Sequence, residues 1–144
     1  MSYLFNDCKS LTSLNLTKFN TKKVYYMKNM FSNCVNLKKL DKSSFNTPNL
    51  QDISQMLINC SSLTSLDIPL FITNKVYNMS HTFSYSSKLE FLNLTKFNTM
   101  KCIESDNIFQ ECKNLSLILN KKQNSNIIDN IPNYVKVSFI DDIN

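Results

Sequence analysis

The sequence predicts an α/β fold: a right-handed solenoid with short parallel strands on one face and helices on the other. Three observations carry that prediction. A Phe-x-x-Cys phrase returns every 26 residues without insertion, apolar residues fall in fixed columns, and each unit divides into a short stretch of strand spacing and a longer one of helical spacing. One such unit cannot bury its apolar side alone, so neighbouring units must stack.

The phrase occurs as Phe5-x-x-Cys8, Phe31-x-x-Cys34, Leu57-x-x-Cys60, Phe83-x-x-Ser86 and Phe109-x-x-Cys112. Three residues after it comes a leucine column (Leu11, Leu37, Leu63, Leu89, Leu115), then a second (Leu14, Leu40, Leu66, Leu92, Ile118). A Phe column follows (Phe19, Phe45, Phe71, Phe97), then a Thr column (Thr21, Thr47, Thr73, Thr99). Residues 1–119 therefore read as four and a half repeats, and residues 120–144 as a C-terminal cap.

Within each unit, Leu11-Thr-Ser-Leu14-Asn-Leu16 and its counterparts at Leu63 and Leu89 follow the L-x-x-L-x-L pattern of a leucine-rich repeat strand. The second piece places Val24, Met27, Met30, Phe31 and Cys34 at offsets that trace one face of a helix. The Thr column sits where N-cap hydroxyls would take up orphan amides, and Pro48 falls at a first helical position, where its missing N–H is harmless. Asn33 and Asn59 stand where the chain must turn back, and Asn tolerates the left-handed conformation.

The pattern decays after Ile118. Asn120 to Asn126 is polar, Ile127-Ile128-Asp-Asn-Ile131 predicts a short helix, and Tyr134 to Ile140 alternates like a strand that pairs beside the fifth unit's strand. Met1 occupies the repeat position of Met27, so the first unit is expected to be covered by further repeats or by a partner.

Composition narrows the chemistry. The 144 residues contain no Gly, no Trp, no Ala and no Arg, while Asn is in surplus at 21. Without Gly there is neither a phosphate-cradling G-x-x-x-x-G-K-[ST] loop nor a G-x-G-x-x-G dinucleotide turn. A single histidine, His81, gives no His-rich metal cluster and little scope for a nucleophile-base pair, and it reads as a surface residue. The net charge of +5 comes from 16 lysines spread along the chain, which read as solvated faces and not as a nucleic-acid patch. No apolar run approaches a membrane span, and the first residues lack the basic and apolar regions of a secretion signal.

The run from Leu11 to Cys34, with its Phe-Asn-Thr and Met-Phe-x-x-Cys phrases, resembles the BspA-like leucine-rich repeat, the 26-residue repeat of bacterial and protist surface proteins. The resemblance covers residues 1 to about 119. It implies a cell-surface or secreted, adhesion-type module for protein–protein interaction, with no catalytic residues and no cofactor. This copy departs from the pattern at Ser86, Leu57, Lys42 and Gln123. An intracellular scaffold or assembly subunit, and so a cytoplasmic location, is the alternative that free thiols and the missing signal favour.

One cysteine per unit stacks into a file and not a tetrahedron, so Cys8, Cys34, Cys60 and Cys112 read as a buried thiol ladder with no metal, and Cys102 as core. The outward strand positions are the candidate partner-binding face: Ser13, Asn15, Lys39, Asp41, Ser65, Asp67, Phe91 and Asn93, with Leu117 and Leu119 outward in the fifth unit. The Asn/Asp column either bonds along itself or contacts a ligand. Phe91 is the best single contact candidate, because it breaks a polar column, and Leu117 and Leu119 are expected to meet the tail.

Overall fold

The computed structural model describes residues 1–40, 45–66 and 71–140. Within them the elements run β1 (Ser13–Leu14), β2 (Lys39–Leu40), β3 (Ser65–Leu66), β4 (Phe91–Asn93), β5 (Ser116–Asn120), α1 (Ser125–Ile128) and β6 (Lys136–Ile140). All pairings are parallel: β1 with β2 in one sheet, and β3-β4-β5-β6 in another. The architecture is an α/β-like arrangement of parallel strands with almost no helix among the described residues.

The register carries the 26-residue period through four units and then shortens it. Ser13 faces Lys39 and Ser65 faces Phe91, each 26 positions on, whereas Phe91 faces Ser116, only 25 positions on. This turns over the fifth strand. Leu117 lies opposite Leu92 and is 1% exposed, Leu119 is fully buried, and Ile118 takes the outward place beside Asn93. The expectation that Leu117 and Leu119 point outward is therefore corrected. Leu115 keeps the 26-residue spacing from Leu89, and the shortening falls just after it, so Leu117 and Leu119 alternate with Leu115 at strand period and follow it into the core.

The stretch predicted as a helix is a run of tight turns. The amides of Met27, Asn29, Phe31 and Asn33 donate to the carbonyls of Asp52, Ser54, Met56 and Ile58 in the next unit, at 2.9 to 3.1 Å. The amides between them close turns within the unit: Met30 to Met27, Ser32 to Asn29 and Cys34 to Phe31. The same pattern joins Ile53, Gln55, Leu57 and Asn59 to Asn78, Ser80, Thr82 and Ser84. A helix would satisfy these groups four residues back along its own chain. Here alternate amides are spent between units, so each stretch is tied to its neighbour by backbone bonds as well as by side chains.

Two residues per unit make this path possible. Asn29 and Asn33, Gln55 and Asn59, His81 and Tyr85, and Asn107 and Glu111 all have φ between 53° and 61°, as do Tyr3 and Asp7 in the first unit. Asn33 and Asn59 are left-handed as their residue type suggests, and their side chains add a ladder: Asn59 Nδ2 donates to Asn33 Oδ1, and Asn33 Nδ2 to Asp7 Oδ1, both at 3.0 Å.

The Thr column does not cap helices. Each Thr begins a β-turn, its carbonyl accepting from the residue three positions on, as Leu50 N–H donates to Thr47 across Pro48 and Asn49. Pro48 thus takes the second place of a turn, where its fixed φ fits. The hydroxyls of Thr21, Thr47, Thr73 and Thr99 donate instead to the carbonyls of Asn46, Ile72, Asn98 and Gln123, one unit on.

The core is continuous and built of columns. Phe5 stacks on Phe31 and Phe83 on Phe109, at 5.4 and 5.7 Å between centroids, with Leu57 in the intervening place. Phe45, Phe71 and Phe97 form a second file. Burial grades along the stack: Phe5, Cys8 and Leu11 are half-buried, while Phe31, Cys34 and Leu37 one unit on are fully buried. In the C-terminal segment, Ile127 from α1 and Val135 join the core. Asn126 Nδ2 donates to the carbonyls of Met100 and Cys102, and Tyr134 Oη accepts from the Glu111 amide at 2.9 Å. The Tyr134 hydroxyl thus takes up an amide whose equivalents at Asn33, Asn59 and Tyr85 donate to the next unit's backbone.

Candidate interaction surface

The outward face of the parallel strands brings most of the candidate residues into two groups. Ser13 and Lys39 are paired neighbours on β1 and β2, and both are exposed. In the second sheet a single row runs Ser65, Phe91, Ser116, Lys136, and beside it a second runs Asn93, Ile118, Ser138. Asp41 and Asp67 lie outside the described residues, as does Lys42.

Phe91 is the feature that sets this face apart. Its ring is 45% exposed between Ser65 on one side and Ser116 on the other. Leu92, the next residue, is fully buried, because successive strand residues point to opposite faces. Ile118, which the assumed 26-residue period hid, and Ile140 of β6 lie on the same face, half-buried and exposed respectively. The alternation of Leu115, Leu117 and Leu119 was the sequence signal that could have placed Ile118 outward.

The Asn positions have a local task. Asn15 Oδ1 accepts from the Thr17 amide at 2.9 Å and from its hydroxyl at 2.7 Å, and Asn93 Oδ1 does the same with Thr95 at 3.0 and 2.8 Å. These are Asx turns that steer the chain out of the strand. Both side chains remain exposed, and the bonds run along the chain and not between units at these two positions.

The thiols face inward. The Sγ atoms of Cys34, Cys60 and Cys112 donate to the carbonyls of Phe5, Phe31 and Phe83 at 3.1 to 3.2 Å. All five cysteines are free. Burial pushes Cys60 up to about 12, with Cys34 beside it adding to the rise, and pushes Cys34, Cys102 and Cys112 to about 11. Such thiols are poor nucleophiles and poor metal ligands near neutral pH.

His81 is half-buried in a left-handed turn, with Nδ1 3.4 Å from Ser84 Oγ. Ser84 is fully buried and its hydroxyl donates to the Asn107 carbonyl, so the proton beside His81 is already engaged. Among the described residues, no three metal-ligating side chains gather in one place, and no helix is long and apolar enough to cross a membrane. The turn side carries exposed rings that sequence reasoning did not single out, Tyr25 and Tyr26, packed 6.4 Å apart.

Residues 1–126 match the model of a family described as Mycoplasma protein of unknown function, DUF285. No curated protein and no solved structure matches the chain.

Proposed function

The chain belongs to the DUF285 family, described as Mycoplasma protein of unknown function, and from its strand face we propose a non-enzymatic binding module that engages another protein. In this reading the units form a right-handed leucine-rich repeat solenoid of the BspA-like kind, and the outward strand row is the contact surface. The observation that carries it is Phe91, a large apolar ring held out of the core in a row of Ser and Lys. An exposed ring costs solubility without adding to the core, and aromatic residues ringed by polar ones are where binding energy concentrates. Lys136, at the end of the same row, supplies a rim charge that favours an acidic partner surface.

Affinity capture tests this reading. Protein captured by the immobilised chain is expected to be lost with Phe91→Ala and retained with Ile103→Ala, which alters a residue 79% exposed elsewhere. Equal capture by both variants would move the contact off the strand face.

A second reading, an intracellular scaffold, is favoured by the five free thiols, since oxidising compartments convert many such cysteines to disulfides. Protease treatment of intact cells separates the two: a surface module is shaved from the cell and a scaffold is protected.

A further inference from the structure

We propose that the chain forms a symmetric dimer by antiparallel pairing of β6 with β6 of a second copy. β6 is the last strand of its sheet, paired with β5 along one edge and with no described strand along the other. Unpaired edges of this kind are templates for another strand, and natural proteins blunt them with charge, proline or a bulge. Lys136 is the one charged residue in Lys-Val-Ser-Phe-Ile, and the strand has neither proline nor a break in register.

The hydrogen-bonding geometry selects the register. The Lys136 amide donates to Leu115, and register runs unbroken to Ile140, so Lys136, Ser138 and Ile140 turn their backbone groups to β5. Val137 and Phe139 consequently turn theirs to the open edge. An antiparallel copy centred on Ser138 sets Val137 opposite Phe139 and Phe139 opposite Val137. Both members of each pair present N–H and C=O to the other, which gives four backbone bonds across the dyad.

Side chains agree with that register. Val137 and Phe139 share the columns of Leu117 and Leu119, which are buried, yet Phe139 is 46% exposed because its column ends there. In the dimer each Phe139 ring packs on the partner's Val137 on the inward face, so the column continues into the second copy. Lys136 falls opposite Ile140, which keeps the two ammonium groups at opposite ends of the pair. That separation matters in a chain of net charge +5. A closed twofold contact of this kind stops at two copies.

The test is sedimentation across low to high micromolar protein, joined to register-specific cross-linking. Wild-type mass is expected to double and stop there, Phe139→Lys to remain monomeric, and Ile103→Lys to behave as wild type. In a Cys8→Ser background, Ser138→Cys lies on the dyad, where paired Cα atoms sit about 4.5 Å apart, within disulfide reach. Diamide is expected to convert most of this variant to a covalent dimer, with at least a tenfold lower yield from Lys136→Cys, whose two copies are four residues out of register. Wild-type mass that stays at one copy, or that climbs past two as end-to-end stacking would make it, overturns the proposal. So does cross-linking of Lys136→Cys equal to that of Ser138→Cys, a readout that does not depend on Phe139→Lys folding.

Discussion

The Ser86 hydroxyl donates to the Leu57 carbonyl at 2.9 Å, the bond that Cys60 Sγ makes to the Phe31 carbonyl one unit earlier. The one departure from the cysteine file therefore keeps the file's hydrogen bond, and both residues are fully buried. The position asks for a small side chain with one donor. Ser86→Cys is expected to leave the denaturation midpoint nearly unchanged, while Ser86→Ala removes the donor and costs about 1 kcal/mol. Urea unfolding of the two variants beside wild type checks the ordering.

Thr47 holds two units together in both directions. Its hydroxyl donates to the Ile72 carbonyl at 3.2 Å and accepts from the Ile72 amide at 2.9 Å, from a side chain with no exposure. Valine has nearly the same shape and neither function, so Thr47→Val leaves an amide and a carbonyl without their partner. The expected loss is about 2 kcal/mol, with Thr47→Ser retaining most of the stability. Equal midpoints for Val and Ser would show that packing, and not the paired bonds, is what the Thr column supplies.

The repeat, its columns and the outward place of Phe91 were legible because burial imposes the same demand on every unit. Whether Val24 to Cys34 coils or turns was not. Its apolar offsets suit a helix face and equally suit a chain of turns whose alternate amides leave for the next unit, and that choice lies in the backbone. The left-handed residues mark the difference, yet only the Asn, Asp and His among them advertise it. Gln55, Tyr85 and Glu111 adopt φ between 56° and 61° with no such preference, so tertiary bonding overrides their type. Ile118 was misplaced for a different reason: a period held for four units was extended to a fifth that is one residue shorter.

Tyr85 offers a clean measure of that override, since it sits at φ 61° and its side chain is exposed. Its amide donates to the Gln110 carbonyl at 2.7 Å, which any residue but proline can do. Tyr85→Gly removes the Cβ clash and is expected to match or exceed wild-type stability. Tyr85→Val, β-branched, is expected to cost about 1 to 2 kcal/mol. Thermal unfolding reads both, and a stable valine variant would mean that the turn relaxes out of the left-handed region.

Alkaline titration tests the thiol file. An unfolded cysteine titrates near 9.0, whereas burial holds Cys60 up to about 12 and Cys34, Cys102 and Cys112 to about 11. A folded value above the unfolded one favours the protonated fold, so the thiols' contribution is fully present below about pH 9 and is lost as pH rises through about 11 to 12. The unfolding midpoint is expected to hold to pH 9 and fall above it. Cys60→Ser keeps the donor, as Ser86 does, and removes one titrating group, so its midpoint falls less steeply over the same range. At pH 8, a disulfide reagent is expected to modify half-buried Cys8 alone in the folded chain and all five cysteines in denaturant. Rapid reaction of a second thiol before unfolding, or parallel pH curves for wild type and Cys60→Ser, would place at least one member of the file in contact with water.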